Sequence, residues 1–176
     1  MKRLKWFLAP LILAYAANIM AKESAMAATT TIAKTLQCSL IAPQTVKLGE
    51  PVTLKFELKN ISKTDVMLLK WNTPLEGWFG SSFNVTRDGK WVNYQGAMVK
   101  RFRPSRDDYA LLAAGKSISN TVNLAEGYQI NQAGEYQFVF NGRLQDVQAV
   151  ASADELSKKR TLQSLTCETF KVIVTM

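Results

Sequence analysis

The densest group of residues able to do chemistry is Met98-Val99-Lys100-Arg101-Phe102-Arg103-Pro104-Ser105-Arg106-Asp107-Asp108-Tyr109. Four cations with Phe102 among them and Tyr109 close behind can grip a phosphate, a carboxylate or an acidic patch on another protein. The same residues can also form a solvated loop whose arginines pair with Asp107 and Asp108. Two neighbouring aspartates are too few for calcium, which takes six or more oxygens. A second group, Leu69-Lys70-Trp71-Asn72-Thr73-Pro74-Leu75-Glu76-Gly77-Trp78-Phe79-Gly80, crowds three aromatic rings around Pro and Gly. Rings at the end of a domain make a ligand platform or a plug that closes the core. Both readings stay open for each group.

Other chemistry is excluded by composition. Histidine is absent, so there is no Ser-His-Asp triad, no Cys-His pair, no HExxH zinc site and no imidazole acid or base. Two cysteines are too few for a thiolate-rich metal centre. A Ser-Lys dyad or paired carboxylates would need a spacing that nothing here displays. The expectation is a protein that is not an enzyme and carries no cofactor.

The elements that would position these groups begin after an export signal. Lys2, Arg3 and Lys5 precede an apolar run from Trp6 to Ala17, and Ala25-Met26-Ala27 supplies a small-residue cleavage site. This is the pattern of a signal peptide over residues 1–27, cut after Ala27 or, as a second choice, Ala21. A run of about a dozen apolar residues is short against the ~20 that span a bilayer. Cleavage would remove four cations and one anion, lowering the formal charge from +8 to +5. The expected location is secreted or periplasmic, with no membrane attachment after cleavage and no nucleic-acid partner. An oxidising compartment would pair Cys38, in the first apolar segment, with Cys167, in the last. Closing that span stabilises a fold by about 5 kcal/mol as an upper figure.

From residue 35 onward alternation prevails. Val52, Leu54, Phe56 and Leu58 share one face of a strand, and Thr53, Lys55, Glu57 and Lys59 the other. Further strands are predicted at 36–42, 65–71, 82–87, 91–95, 116–123, 135–141 and 165–175. Asp88-Gly89 and Asn141-Gly142 suit two-residue hairpin turns. Residues 145–163 are polar and Ala-rich, and Ser152-Ala153-Asp154-Glu155 followed by Lys158-Lys159-Arg160 predicts a short helix or mobile excursion before the last strand. The whole reads as one domain over 28–176, an all-β, immunoglobulin-like antiparallel β-sandwich. Tyr128 and Tyr136 are candidates for the corner tyrosine of such a sandwich.

Leu69 to Gly77, Val85-Thr86-Arg87-Asp88-Gly89 and Tyr94-Gln95-Gly96-Ala97-Met98-Val99-Lys100-Arg101 also carry a resemblance. With Asp108-Tyr109, Leu111 to Gly115, Ser117-Ile118-Ser119, Val122-Asn123-Leu124, Tyr128 and Gly134-Glu135-Tyr136, they resemble the N-terminal domain of deuterolysin-type zinc metallopeptidases. That family, the aspzincins, includes the peptidyl-Lys metalloendopeptidases, and the resemblance covers roughly residues 36–141. There the domain is a pro-segment that assists folding of the zinc domain and blocks its cleft. The zinc-binding HExxH has no counterpart in this chain. The resemblance implies a free-standing, exported, non-catalytic pro-domain homologue that inhibits, or assists the folding of, a secreted metallopeptidase; the strand pattern and the bridged ends predict a monomer. The residues expected to contact that partner are Trp71, Trp78, Lys100, Arg101, Phe102 and Arg103, with Lys158-Lys159-Arg160 as a second candidate. The alternative is a periplasmic or cell-surface binding module for another protein or a glycan.

Overall fold

The strict alternation around Phe56 forms a strand, β3 (Thr53–Asn60), with Leu54, Phe56 and Leu58 buried and Thr53 and Lys59 exposed. On its wet face the Lys55 ammonium lies 2.8 Å from the Glu57 carboxylate. The computed structural model describes residues 35–150 and 162–176. Around β3 the chain runs through β1 (Leu36–Ile41), β2 (Thr45–Lys47), β4 (Val66–Leu69), β5 (Phe83–Arg87), β6 (Lys90–Val92), β7 (Tyr109–Leu112) and β8 (Ser117–Asn123). A four-residue helix, α1 (Leu124–Gly127), precedes β9 (Gly134–Phe140), β10 (Arg143–Ala149), β11 (Leu162–Ser164) and β12 (Phe170–Thr175).

These strands make an all-β sandwich of immunoglobulin-like architecture. A three-stranded antiparallel sheet, β1-β3-β8, faces a five-stranded one ordered β2-β12-β9-β5-β6, in which only the β2–β12 pair is parallel. The inner faces share one core, where Leu54, Phe56 and Leu58 meet Phe83, Val85, Phe138, Phe140 and Val172. The rings of Phe56 and Phe140 lie 5.5 Å apart. A third sheet, β11-β10-β4-β7, is built from long connections: β4 lies between β3 and β5, β7 between β6 and β8, and β10 and β11 between β9 and β12. Its Val66, Leu68, Ala110, Leu112, Leu144 and Val147 join the main core. Its opposite side carries a small second cluster of Leu69, Trp71 and Tyr109, with Met67 packed against it.

The two candidate tyrosines separate here. Tyr136, at the start of β9, is fully buried, and its hydroxyl donates to the Gln132 carbonyl at 3.0 Å, which is the corner arrangement. Tyr128 is a long-range latch instead: its hydroxyl accepts from the Phe83 N–H at 2.9 Å and donates to the Phe83 carbonyl at 2.8 Å. Cys38 and Cys167 form a disulfide with a Cα–Cα distance of 5.2 Å across 129 positions.

Asp88-Gly89 makes the predicted hairpin between β5 and β6, both residues with positive φ. Asn141-Gly142 does not. β9 pairs with β5 and β12 while β10 pairs with β4 and β11, so this dipeptide is a passage between sheets without positive φ. Gly142 is required there because a Cβ would sit 2.4 Å from the Phe140 ring and 2.8 Å from the Asn72 carbonyl oxygen. The excursion predicted over 145–163 is corrected at both ends, where β10 and β11 pair with each other. The helix expected from Ser152 to Arg160 lies outside the described residues. β2 and β7 were not predicted at all: β2 is three residues long, and Tyr-Ala-Leu-Leu of β7 lacks alternation because only Leu111 faces outward.

Candidate functional site

The connection from β6 to β8 carries the cationic group, and its local chemistry fixes both roots. At the first, Tyr94 forms an isolated antiparallel bridge with Tyr128, and the Gln95 N–H donates to the Gly127 carbonyl at 2.9 Å. The Tyr94 hydroxyl folds back and donates to the Ala97 carbonyl at 2.9 Å. Gly96 permits this turn, since a Cβ there would lie 2.4 Å from the Tyr94 hydroxyl oxygen. At the second root Ser105 and Asp108 form a capping box around a 3-10 turn, Arg106–Asp108. Asp108 Oδ2 accepts from the Ser105 N–H at 2.7 Å and the Ser105 hydroxyl at 2.8 Å. Its Oδ1 accepts from Trp71 Nε1 at 3.0 Å. Those donors, the Ser105 amide foremost, hold the Asp108 carboxyl below the usual range.

A third anchor stands midway. The Arg101 guanidinium donates to Glu76 Oε2 at 2.6 Å, lies 4.8 Å over the Trp71 ring and 5.8 Å from that of Phe79. Glu76 ends a 3-10 turn, Pro74–Glu76, capped by the buried Thr73, whose hydroxyl donates to the Lys70 carbonyl at 2.6 Å. Glu76 Oε1 accepts from the Asn72 N–H at 2.8 Å, and Asn72 takes a positive φ. Burial pushes the Glu76 carboxyl above the usual range, more than Asn72 and Arg101 pull it down. Beneath this shelf the Tyr109 hydroxyl donates to the buried Asp146 at 2.6 Å, and Gln148 Nε2 donates to its other oxygen at 2.6 Å.

Between the anchors the loop is open to solvent. Met98 is 84% exposed and Phe102 86%, and Val99, Lys100, Arg103 and Arg106 are exposed as well. The six expected contact residues are therefore divided. Lys100, Phe102 and Arg103 lie on the surface. Arg101 is turned inward onto Glu76, not toward Asp107 or Asp108. Trp71 and Trp78 are 4% and 9% exposed, so the expectation that they offer a docking surface is corrected. Trp78 plugs the main core, donating from Nε1 to the Asn123 carbonyl at 2.7 Å and meeting Tyr128 edge-on at 5.7 Å. Lys158-Lys159-Arg160 lie outside the described residues.

Glu76, Asp108, Asn72 and Tyr94 were not singled out as site residues. Two of them had a readable signal: Thr73-Pro74-Leu75-Glu76 and Ser105-Arg106-Asp107-Asp108 both match the S/T-x-x-D/E spacing of a capping box. Among the described residues no three His, Cys, Asp or Glu side chains converge to hold a metal ion, and no helix is long and apolar enough to cross a membrane.

The fold and this loop define a disulfide-closed β-sandwich with one exposed, three-point-anchored cationic loop. No known protein family matches the sequence. Over 91 residues the chain is 37% identical to an extracellular protease of Aeromonas hydrophila, a match that takes 49% of this chain and 25% of the protease. The chain thus corresponds to about a quarter of that relative's length. A crystal structure of the CARDB domain of PF1109 from Pyrococcus furiosus, in complex with di-metal ions, aligns with 80% of this chain and 87% of its own at 14% identity, TM-score 0.32. A solution structure of the same domain gives 15% identity and a TM-score of 0.34, covering 80% of this chain and 94% of its own.

Proposed function

We propose that this is an exported, non-catalytic protein that binds and inhibits a secreted zinc metallopeptidase, the 98–104 loop entering an acidic cleft. The observation that carries the reading is the loop itself: Met98 and Phe102 stand almost fully in solvent among Lys100 and Arg103, on a segment tied down at both roots. A blocking segment must hold an extended shape before binding, because each side chain ordered at the interface costs about 0.5–1.5 kcal/mol. Exposed cations steer the approach to an acidic cleft, and exposed Met and Phe supply apolar area once there. The similarity to part of an extracellular protease supports a peptidase as the partner, and the disulfide suits export. Removal of residues 1–27 as a signal peptide belongs to the same proposal.

The test is inhibition of a co-secreted aspzincin by the purified protein and by a Lys100→Ala, Phe102→Ala, Arg103→Ala variant. The variant should fold normally, since these side chains are exposed. Its inhibition should weaken at least about tenfold, some 1.4 kcal/mol. Equal inhibition by both proteins would move the contact elsewhere. Absence of inhibition by the wild type would favour a binding module for another protein or a glycan.

A further inference from the structure

Arg101 differs from the cations on either side of it. Lys100 and Arg103 are exposed, while the Arg101 side chain is 26% exposed and that of Glu76 9%. The guanidinium lies over the Trp71 ring and within reach of the half-exposed Phe79 ring. Glu76 is in turn fixed by the Asn72 amide, and Trp71 by Asp108, which also caps the loop's second root. One side chain therefore joins the middle of the loop to the turn that carries Trp71 and to the loop's own end. An ion pair this buried is weak evidence for stability, because desolvation of both charges offsets most of their attraction. What it does supply is direction. Guanidinium is planar and presents a fork of donors, so pairing to Glu76 while lying over Trp71 sets both the position and the angle of the backbone that bears it.

We infer that Arg101 is a positioning residue: held by Glu76 against Trp71 and Phe79, it fixes the 98–104 loop in its binding conformation and does not itself touch the partner. The inference rests on the loop being the contact surface, and it specifies how that surface is kept ready. With the clamp closed, Met98-Val99-Lys100 and Phe102-Arg103-Pro104 form two short arms about a fixed centre, so little conformational freedom is left to lose on binding. With the clamp open, the same residues lose that fixed centre.

The experiment uses the full mature chain with Arg101→Met, which keeps an aliphatic stem on Trp71, and Glu76→Gln, which keeps an acceptor for the Asn72 amide. Backbone order parameters for residues 98–104 are read by nitrogen-15 relaxation on the free proteins. Wild type should show rigid values of about 0.85 through the loop, and both variants should fall below about 0.6 there while the strands stay unchanged. Inhibition should weaken at least about tenfold in both, although only 9% of the Glu76 side chain is exposed. Arg101→Lys should restore little, lacking the planar fork. A loop as rigid in both variants as in wild type would overturn the clamp. So would a rigid loop in Glu76→Gln with inhibition lost in Arg101→Met alone, since Arg101 would then be a contact. If the loop loosens in both variants and no peptidase is inhibited by the wild type, the clamp stands and the inhibitor reading falls.

Discussion

Trp71 and Trp78 leave the same aromatic-rich turn and end in unlike surroundings. Trp78 enters the sandwich, where Phe83, Tyr94 and Tyr128 surround it and its N–H is satisfied by a backbone carbonyl. Trp71 covers the far side of the third sheet, its N–H held by a carboxylate and its face covered by a guanidinium. The first environment is apolar around a neutral hydrogen bond. The second is a ring wedged between charges. Burial of a tryptophan thus has two uses in one turn: Trp78 joins the sheets, and Trp71 serves as a flat seat that tells a cation where to lie.

The largest effect that separates the two comes from truncation. Trp78→Ala should cost about 3–5 kcal/mol, because the site lies among core rings that cannot collapse around the void. Chemical denaturation would measure it, and a loss under about 1 kcal/mol would mean that Trp78 is not the plug. Trp71→Ala should cost less, about 2–3 kcal/mol, since its cluster is small and lies at the edge of the third sheet. A Trp71 loss equal to that of Trp78 would erase the distinction between seat and core.

The smallest effect is electrostatic. Glu76 binds its proton more tightly in the folded chain than in the unfolded one, so its contribution is complete below the ordinary glutamate range and is lost as pH rises through the raised value. Wild type should therefore lose stability relative to Glu76→Gln as pH rises toward neutrality. Asp108, whose carboxyl is held low, should behave oppositely against Asp108→Asn, its contribution falling away as acid protonates it. Denaturation midpoints collected along a pH series give both signs. Slopes of the same sign would show that the two carboxylates do not sit in opposed environments.

Residue spacing made some of this legible and left the rest hidden. β3, β8 and β9 declare themselves because one face is buried and the other wet, so a period of two survives in the sequence. β10 does not. Asp146 takes a positive φ, the register with β4 shifts between Gln145 and Gln148, and a buried aspartate stands where a hydrophobe would keep the alternation. The disulfide was readable from two cysteines in the first and last apolar segments of a chain whose N-terminus reads as an export signal. The clamp was not, because Glu76 and Arg101 belong to different connections and meet only when the third sheet brings β4 beside β7. Charge density alone therefore did not separate Arg101, which pairs inward with Glu76, from Lys100 and Arg103, which face out.

The bridge between Cys38 and Cys167 bears on what a cut in the 98–104 loop would do. Every bond of that loop lies inside the ring closed by the disulfide. A cut after Lys100 would break the backbone yet release no fragment, since both halves remain covalently joined. The new ends stay near one another and within the folded domain, at an effective concentration that favours continued occupancy over departure. Hydrolysis of the loop would leave the product tethered in one piece.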